Sequence, residues 1–328
     1  MTRRIVTLCA ALAVMATASA ADAELVGTWT SRIAEERPGK LYLSLETGRN
    51  GQQGSNFERS ALVGLTSEQI ESRTRVPVQF RLDREAGTIS FDGVFRDGRG
   101  AGEFTFVANP GYVKRLREAG VSFTSREIDD DRGLLNLALC DVSIEFIRSM
   151  QAIGYNETLD KYIAFRMFGV DPTYVREMEK LGFDHLSAGK LIETRIHGAT
   201  PEYIREMRAA GQDLALDQYI ESRIFQVTPE FANEIARAGY PGLARDVLVQ
   251  FRIHGVTPQF IQELREVGYT KLPAQKLVEM RIHGVTPEFI RRVEKAGYRK
   301  VPVDKLVQMR IFQIEPEMVR ALDDAERN

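Results

Sequence analysis

The chain of 328 residues has only two cysteines, one tryptophan and four histidines. Cys9 lies in the opening apolar stretch, so loss of that stretch leaves Cys140 alone and excludes an intramolecular disulfide. Stability must then come from buried apolar cores, for which about 300 residues suffice in two domains. There is no basic excess. The formal net charge is −2, which argues against a nucleic-acid partner even where helical pairs recur. Catalytic signatures are missing as well. No His-Glu-x-x-His, Gly-x-Ser-x-Gly or phosphate loop occurs. The expectation is a chain without catalytic residues, without a cofactor and without a metal.

No apolar run reaches the ~20 residues that span a bilayer. The opening does have the three parts of a secretory signal. Arg3 and Arg4 precede an apolar stretch from Ile5 to Ala16, and small residues follow at Ala18-Ser19-Ala20 and Ala21-Asp22-Ala23. Residues 1–23 are therefore expected to be a cleaved signal, placing the remainder in the periplasm or outside the cell with no membrane span.

Residues 24–109 read as an antiparallel β domain. Leu41 to Leu45, Val76 to Leu82, Thr88 to Phe91 and Glu103 to Phe106 alternate apolar and polar side chains, the period of a half-buried strand. Turn residues at Arg84-Glu85-Ala86-Gly87 and Asp97-Gly98-Arg99-Gly100 make the last three a meander. A small sandwich or a partly open barrel fits this length, with Trp29 of Gly27-Thr28-Trp29 capping its end and residues 46–60 forming a mobile loop. That glycine-containing loop makes cell-wall glycan a second candidate ligand.

The rest is repetitive. Ile282-His283-Gly284-Val285-Thr286-Pro287-Glu288-Phe289-Ile290 matches Ile253 to Ile261, and the same frame begins at Leu139, Met167, Ile196, Ile224 and Ile311. The starts lie 28 or 29 residues apart, the mark of a stacked array. In each unit a cap residue and a proline open a first helix, as at Asp171-Pro172, Thr200-Pro201, Thr228-Pro229 and Thr257-Pro258. A glycine closes it, at Gly154, Gly182, Gly211, Gly239, Gly268 and Gly297. A second helix follows, in the last unit with Val303, Leu306, Val307 and Ile311 expected to face inward, and Gly284 stands where the previous one ends. Helices of about ten residues are marginal alone, so each must bury its apolar face on neighbouring units. The expected fold class is α+β. The β domain is followed by a degenerate first repeat with an acidic insertion at residues 110–138, then by an α-solenoid of helical hairpins at 139–328, closed by a polar C-terminal cap.

Three repeat positions bear on function. His197, His254 and His283 share one slot with Cys140, Phe168, Phe225 and Phe312, which reads as packing for a flat ring rather than as a metal ladder. Ser187-Ala188-Gly189-Lys190 fits an acylation motif, but its companion Lys-Thr-Gly is missing, and Ser187 reads as a helix cap. Arg166, Arg195, Arg223, Arg252, Arg281 and Arg310 end the second helices. They either satisfy carbonyls at those helix ends and pair with carboxylates, or form a cationic ladder for a partner. From Leu139 onward 26 Lys/Arg face 28 Asp/Glu, so a positive strip is balanced elsewhere.

The Ile-His-Gly-Val-Thr-Pro-Glu-Phe-Ile run, with its Gly-Tyr stop and preceding arginine, resembles helical repeats of bacterial envelope proteins. These include the repeats appended to beta-lactam-sensor-type membrane metallopeptidases. Ala86 to Gly93 and Gly100 to Phe106 are similar to the short sheet segment before such repeats. The multi-pass membrane region and zinc-binding helix of those peptidases have no counterpart here, so their activity does not carry over. The resemblance implies an extracytoplasmic sensing or scaffold part. The expected function is binding of an envelope protein through the helical-repeat surface.

Overall fold

The structure is a computed structural model that describes residues 24–34, 39–48, 51–124, 128 and 131–315. The signal-like opening, most of the acidic insertion and the expected C-terminal cap lie outside the described residues. The chain divides into two compact units, Met1–Met167 and Phe168–Asn328.

The first unit opens with β1 (Glu24–Ile33), β2 (Lys40–Glu46), β3 (Gln52–Glu58), β4 (Val76–Arg84), β5 (Gly87–Arg96) and β6 (Arg99–Ala108). They form one antiparallel sheet in the order β3-β2-β1-β6-β5-β4. It is a single sheet, not the two layers of a sandwich, and β4-β5-β6 is the expected meander. Asp97 and Gly98 both have positive φ, 50° and 73°, the geometry that matches a two-residue turn to the strand twist. One expectation is overturned. Residues 52–58 within the span 46–60 are not a loop but the strand β3. Its glycine, serine and glutamines hide strand character, which here comes from pairing with β2.

Trp29 is buried in the inward face of the sheet, not at the end of a sandwich. Its ring packs against Phe80, Phe91 and Phe95 at centroid distances of 5.3, 5.9 and 5.6 Å, and its Nε1 donates to the Asp92 carbonyl at 3.1 Å. The space comes from glycine. A β-carbon at Gly100 would lie 2.8 Å from the tryptophan ring and 2.7 Å from Phe95. Between β3 and β4 lies the short helix α1 (Ser67–Glu71), with a capping box between Thr66 and Gln69.

Helices then alternate. The first unit holds α2 (Pro110–Glu118), α3 (Asp131–Leu139), α4 (Ile144–Gln151) and most of α5 (Leu159–Phe168). Here α3 packs on β1, β5 and β6 through a run that includes the buried Leu134, Leu135 and Ala138. The second unit continues with α6 (Pro172–Lys180), α7 (Ala188–His197), α8 (Pro201–Ala209), α9 (Leu216–Ile224) and α10 (Pro229–Arg237). It ends with α11 (Arg245–His254), α12 (Pro258–Glu266), α13 (Ala274–Ile282), α14 (Pro287–Lys295) and α15 (Val303–Ile311). A six-stranded sheet followed by fourteen described helices in series is the α+β class with helical repeats.

The local chemistry recurs from repeat to repeat. The cap side chains of Thr200, Thr228, Thr257 and Thr286 accept from the amides of Tyr203, Phe231, Phe260 and Phe289. First helices stop at glycines of positive φ from Gly120 to Gly297. Second helices end in a Schellman motif. In one, Val256 N–H reaches the Phe251 carbonyl at 2.8 Å and Gly255 N–H the Arg252 carbonyl at 3.3 Å. Asp141, Gln226 and Gln313 adopt the same left-handed conformation where other repeats use glycine. In the second unit, like helices stack on like: α7 on α9, α11 on α13, α13 on α15, and α6 on α8. Tyrosines cross-link the repeats, as when the Tyr269 hydroxyl donates to the Val301 carbonyl at 2.6 Å.

Candidate interaction surface

Each expected arginine sits on an aromatic ring. The residue whose amide is capped at the start of a first helix supplies the ring, and the arginine comes 20 or 21 positions later. Arg166 lies over Phe146 at 5.1 Å from the centroid. In the second unit Arg195 lies over Tyr174 at 3.8 Å, Arg223 over Tyr203 at 5.0 Å and Arg252 over Phe231 at 3.8 Å. Arg281 lies over Phe260 at 5.0 Å and Arg310 over Phe289 at 5.1 Å. A flat guanidinium stacks in this way where an ammonium cannot.

The same arginines reach back one repeat. Nε of Arg166, Arg223 and Arg281 donates to the carbonyls of Cys140, His197 and His254 at 3.1, 3.4 and 3.1 Å. These are the last carbonyls of the preceding second helix, where positive charge also suits the helix dipole. The guanidinium lies close over the turn glycine there: a β-carbon on Gly255 would be 2.7 Å from Arg281. Burial holds the Arg252 guanidinium below its ordinary pKa. Carboxylate pairing, expected for all six, is seen among the described residues only at Arg166 with Asp141, at 2.8 Å, and at Arg310 with Glu315, at 3.5 Å. The series is thus a set of staples between repeats, with half-exposed edges.

Immediately beside it runs a feature that the sequence pattern misassigned. Ile311, expected to face inward, is half exposed, and so are its equivalents from Met167 onward, whereas Leu139 at the first repeat start is buried. In the second unit Ile196, Ile224, Ile253, Ile282 and Ile311 are 53, 53, 49, 53 and 51 % exposed. In the first unit Met167 holds the same position and is exposed as well. The residue comes one step after the arginine in the last turn of the second helix, while beyond the turn Ala199, Val227, Val256 and Val285 are buried. Stacked repeats set equivalent positions in a row. The His/Phe slot is next. It lies at the last residue of the second helix or at the C-cap just past it; Phe168, His197 and Phe312 are exposed, the last at 71 %, while Phe225, His254 and His283 are half-buried. Histidine and phenylalanine interchange there because only the backbone is fixed. No group of three metal-binding side chains occurs among the described residues.

The acylation-like motif separates into two structural roles. The Ser187 hydroxyl accepts from the Lys190 amide at 3.2 Å as a helix cap. Lys190 is ion-paired with Asp217 at 2.8 Å and Glu193 at 2.6 Å, and the hydrogen bonds to these carboxylates raise its pKa. An ammonium so held is no base for a serine. Cys140 is half-buried, and burial pushes its thiol up to about 11, far from a reactive thiolate.

The sheet surface differs from the array. Among the described residues its exposed large apolar side chains are Val26, Val107 and, bridged to the β4 edge, Val63, with no aromatic among them. Among the described residues no helix is long and apolar enough to cross a membrane. No protein-family model, no curated protein and no solved structure matches this chain.

Proposed function

We propose that the chain is a non-catalytic binding or scaffold protein of the bacterial envelope that holds a protein partner on the outer edge of its helical array. The observation that carries this reading is the exposed row Ile196, Ile224, Ile253, Ile282 and Ile311. About half of each side chain is left in water at the same position of these repeats, and repeated exposed apolar surface marks interaction sites. The half-exposed arginines beside it supply charged groups at the margin, the usual anatomy of a protein interface. Exposed aromatics, on which sugars stack, are missing from the described sheet surface, so the second reading, cell-wall glycan on the β domain, has no such support. The signal-like opening supports export, and the resemblance of the repeats to envelope proteins agrees with it.

The test is photo-crosslinking in envelope extracts from a single reactive residue placed at Ile224 or Ile253, with Val107 on the sheet as the comparison. The expected result is one discrete protein adduct from both array positions and none from Val107. Adducts from Val107 alone, or transfer to glycan strands, would contradict it.

A further inference from the structure

The two edges of the sheet are finished differently. At β4, Val63 exchanges two backbone hydrogen bonds with Arg81, both at 2.9 Å, and Pro77 removes a donor. That edge is blunted in the ways that prevent strand addition. At β3 no described residue pairs with the outer side.

Two hydrogen bonds fix which groups of β3 are free. Thr47 N–H donates to the Gly51 carbonyl at 2.8 Å, and Arg59 N–H donates to the Gly39 carbonyl at 3.3 Å. In an antiparallel ladder such pairs recur at every second residue. With Leu45 opposite Gln53, Leu43 opposite Ser55 and Leu41 opposite Phe57, those three residues bond to β2. The amides and carbonyls of Gln52, Gly54, Asn56 and Glu58 therefore point outward.

That edge lines a cleft of about 600 Å³, whose opposite wall is the end of α3 with Asn136, Leu139 and Cys140. Three cations, Lys40, Arg84 and Arg166, line it against two carboxylates, Glu58 and Asp141. Asp141 is shared by Arg84 at 3.2 Å and Arg166 at 2.8 Å, and Glu58 takes Lys40 at 2.9 Å, which among the described residues leaves one positive charge in excess. The Gln53 Oε1 atom in the same wall is buried and meets no hydrogen-bond donor among the described residues.

We propose that the cleft takes an extended acidic peptide of a partner protein as a seventh strand on β3. The outward amides and carbonyls bind its backbone, the mode of strand-addition domains. The surplus cation selects an acidic side chain or a terminal carboxylate. A second copy of the sheet would have to seat its edge, with a sheet behind it, against the α3 wall of the same cleft. This site does not use the isoleucine row, and either can fail without the other.

The experiment selects displayed random peptides, roughly eight residues long to match a strand of this length, against the full chain. Enriched sequences are then synthesised. Acidic peptides are expected, and they should slow hydrogen exchange at the amides of Gly54, Asn56 and Glu58. N-methylation at alternate peptide amides should weaken binding about tenfold for each strand hydrogen bond lost, and methylation at the intervening amides should not. Arg84→Gln should reduce the preference for acidic sequences. Failure to enrich peptides, enriched peptides that leave those amides unprotected, indifference to N-methylation, or dimerisation through β3 would each overturn the proposal.

Discussion

In the sheet, alternation sends most apolar side chains one way: Trp29, Phe80 and Phe91 are buried, while Gln79, Ser90 and Asp92 lie on the outer face, with Val26 and Val107 as exposed exceptions. In the helical array the inner positions are equally well filled, yet an aliphatic residue also stands exposed at the end of each second helix from Ile196 to Ile311. Strand alternation forces the separation in the first case. Nothing in helix geometry forces the exposure in the second, since a polar residue at a helix end costs no packing. On the proposed function, the sheet core serves stability and the array edge serves binding.

Variants that break this contrast should differ in size of effect. The largest belongs to the sheet. Trp29→Ala removes the ring around which Phe80 and Phe95 pack and should cost about 3–5 kcal/mol. Near-ultraviolet circular dichroism during denaturant unfolding should show an earlier transition for the first unit. In the array, Arg252→Ala and Arg281→Ala each lose a cation–ring stack, and Arg281 also loses its bond to the His254 carbonyl. We expect about 1–2 kcal/mol apiece, with lysine restoring only part. Hydrogen exchange should place the loss in the adjoining repeats. Loss of binding with unchanged stability would instead make the arginines the contact surface.

A smaller effect should have the opposite sign. Gln226 holds a left-handed turn at φ 57° that other repeats give to glycine. Gln226→Gly should stabilise the chain by about 1 kcal/mol, read as a higher denaturation midpoint. An unchanged or lower midpoint would show that the glutamine side chain supports the turn in another way.

Much of the array was legible because each signal is local. Thr286-Pro287 states a helix start, Gly297 a stop, and both stand where expected. The cap reading of Ser187 rests on the same kind of chemistry. Two things were not legible. The direction of Ile311 depends on a Schellman turn that sends Ile314 N–H back to Met309, so an apolar residue in helical register ends up outside. The arginine contacts depend on pairing across repeats, and sequence spacing alone cannot say whether a guanidinium meets a carboxylate, a carbonyl or a ring. In the sheet, β3 was hidden because Gln52 to Asn56 carries no alternation. Its pairing with β2 is the only signal, and it is non-local.

The central claim is that the isoleucine row binds and does not hold the fold. The most direct measurement combines Ile224→Ser, Ile253→Ser and Ile282→Ser in one variant, then compares its unfolding free energy and its crosslinking in envelope extracts with the parent chain. The account predicts an unfolding free energy within about 0.5 kcal/mol of the parent per substitution, as for surface positions, and loss of the adduct formed from a reactive residue on the same edge. A variant that unfolds early, or one that is stable and still forms the adduct, would contradict it.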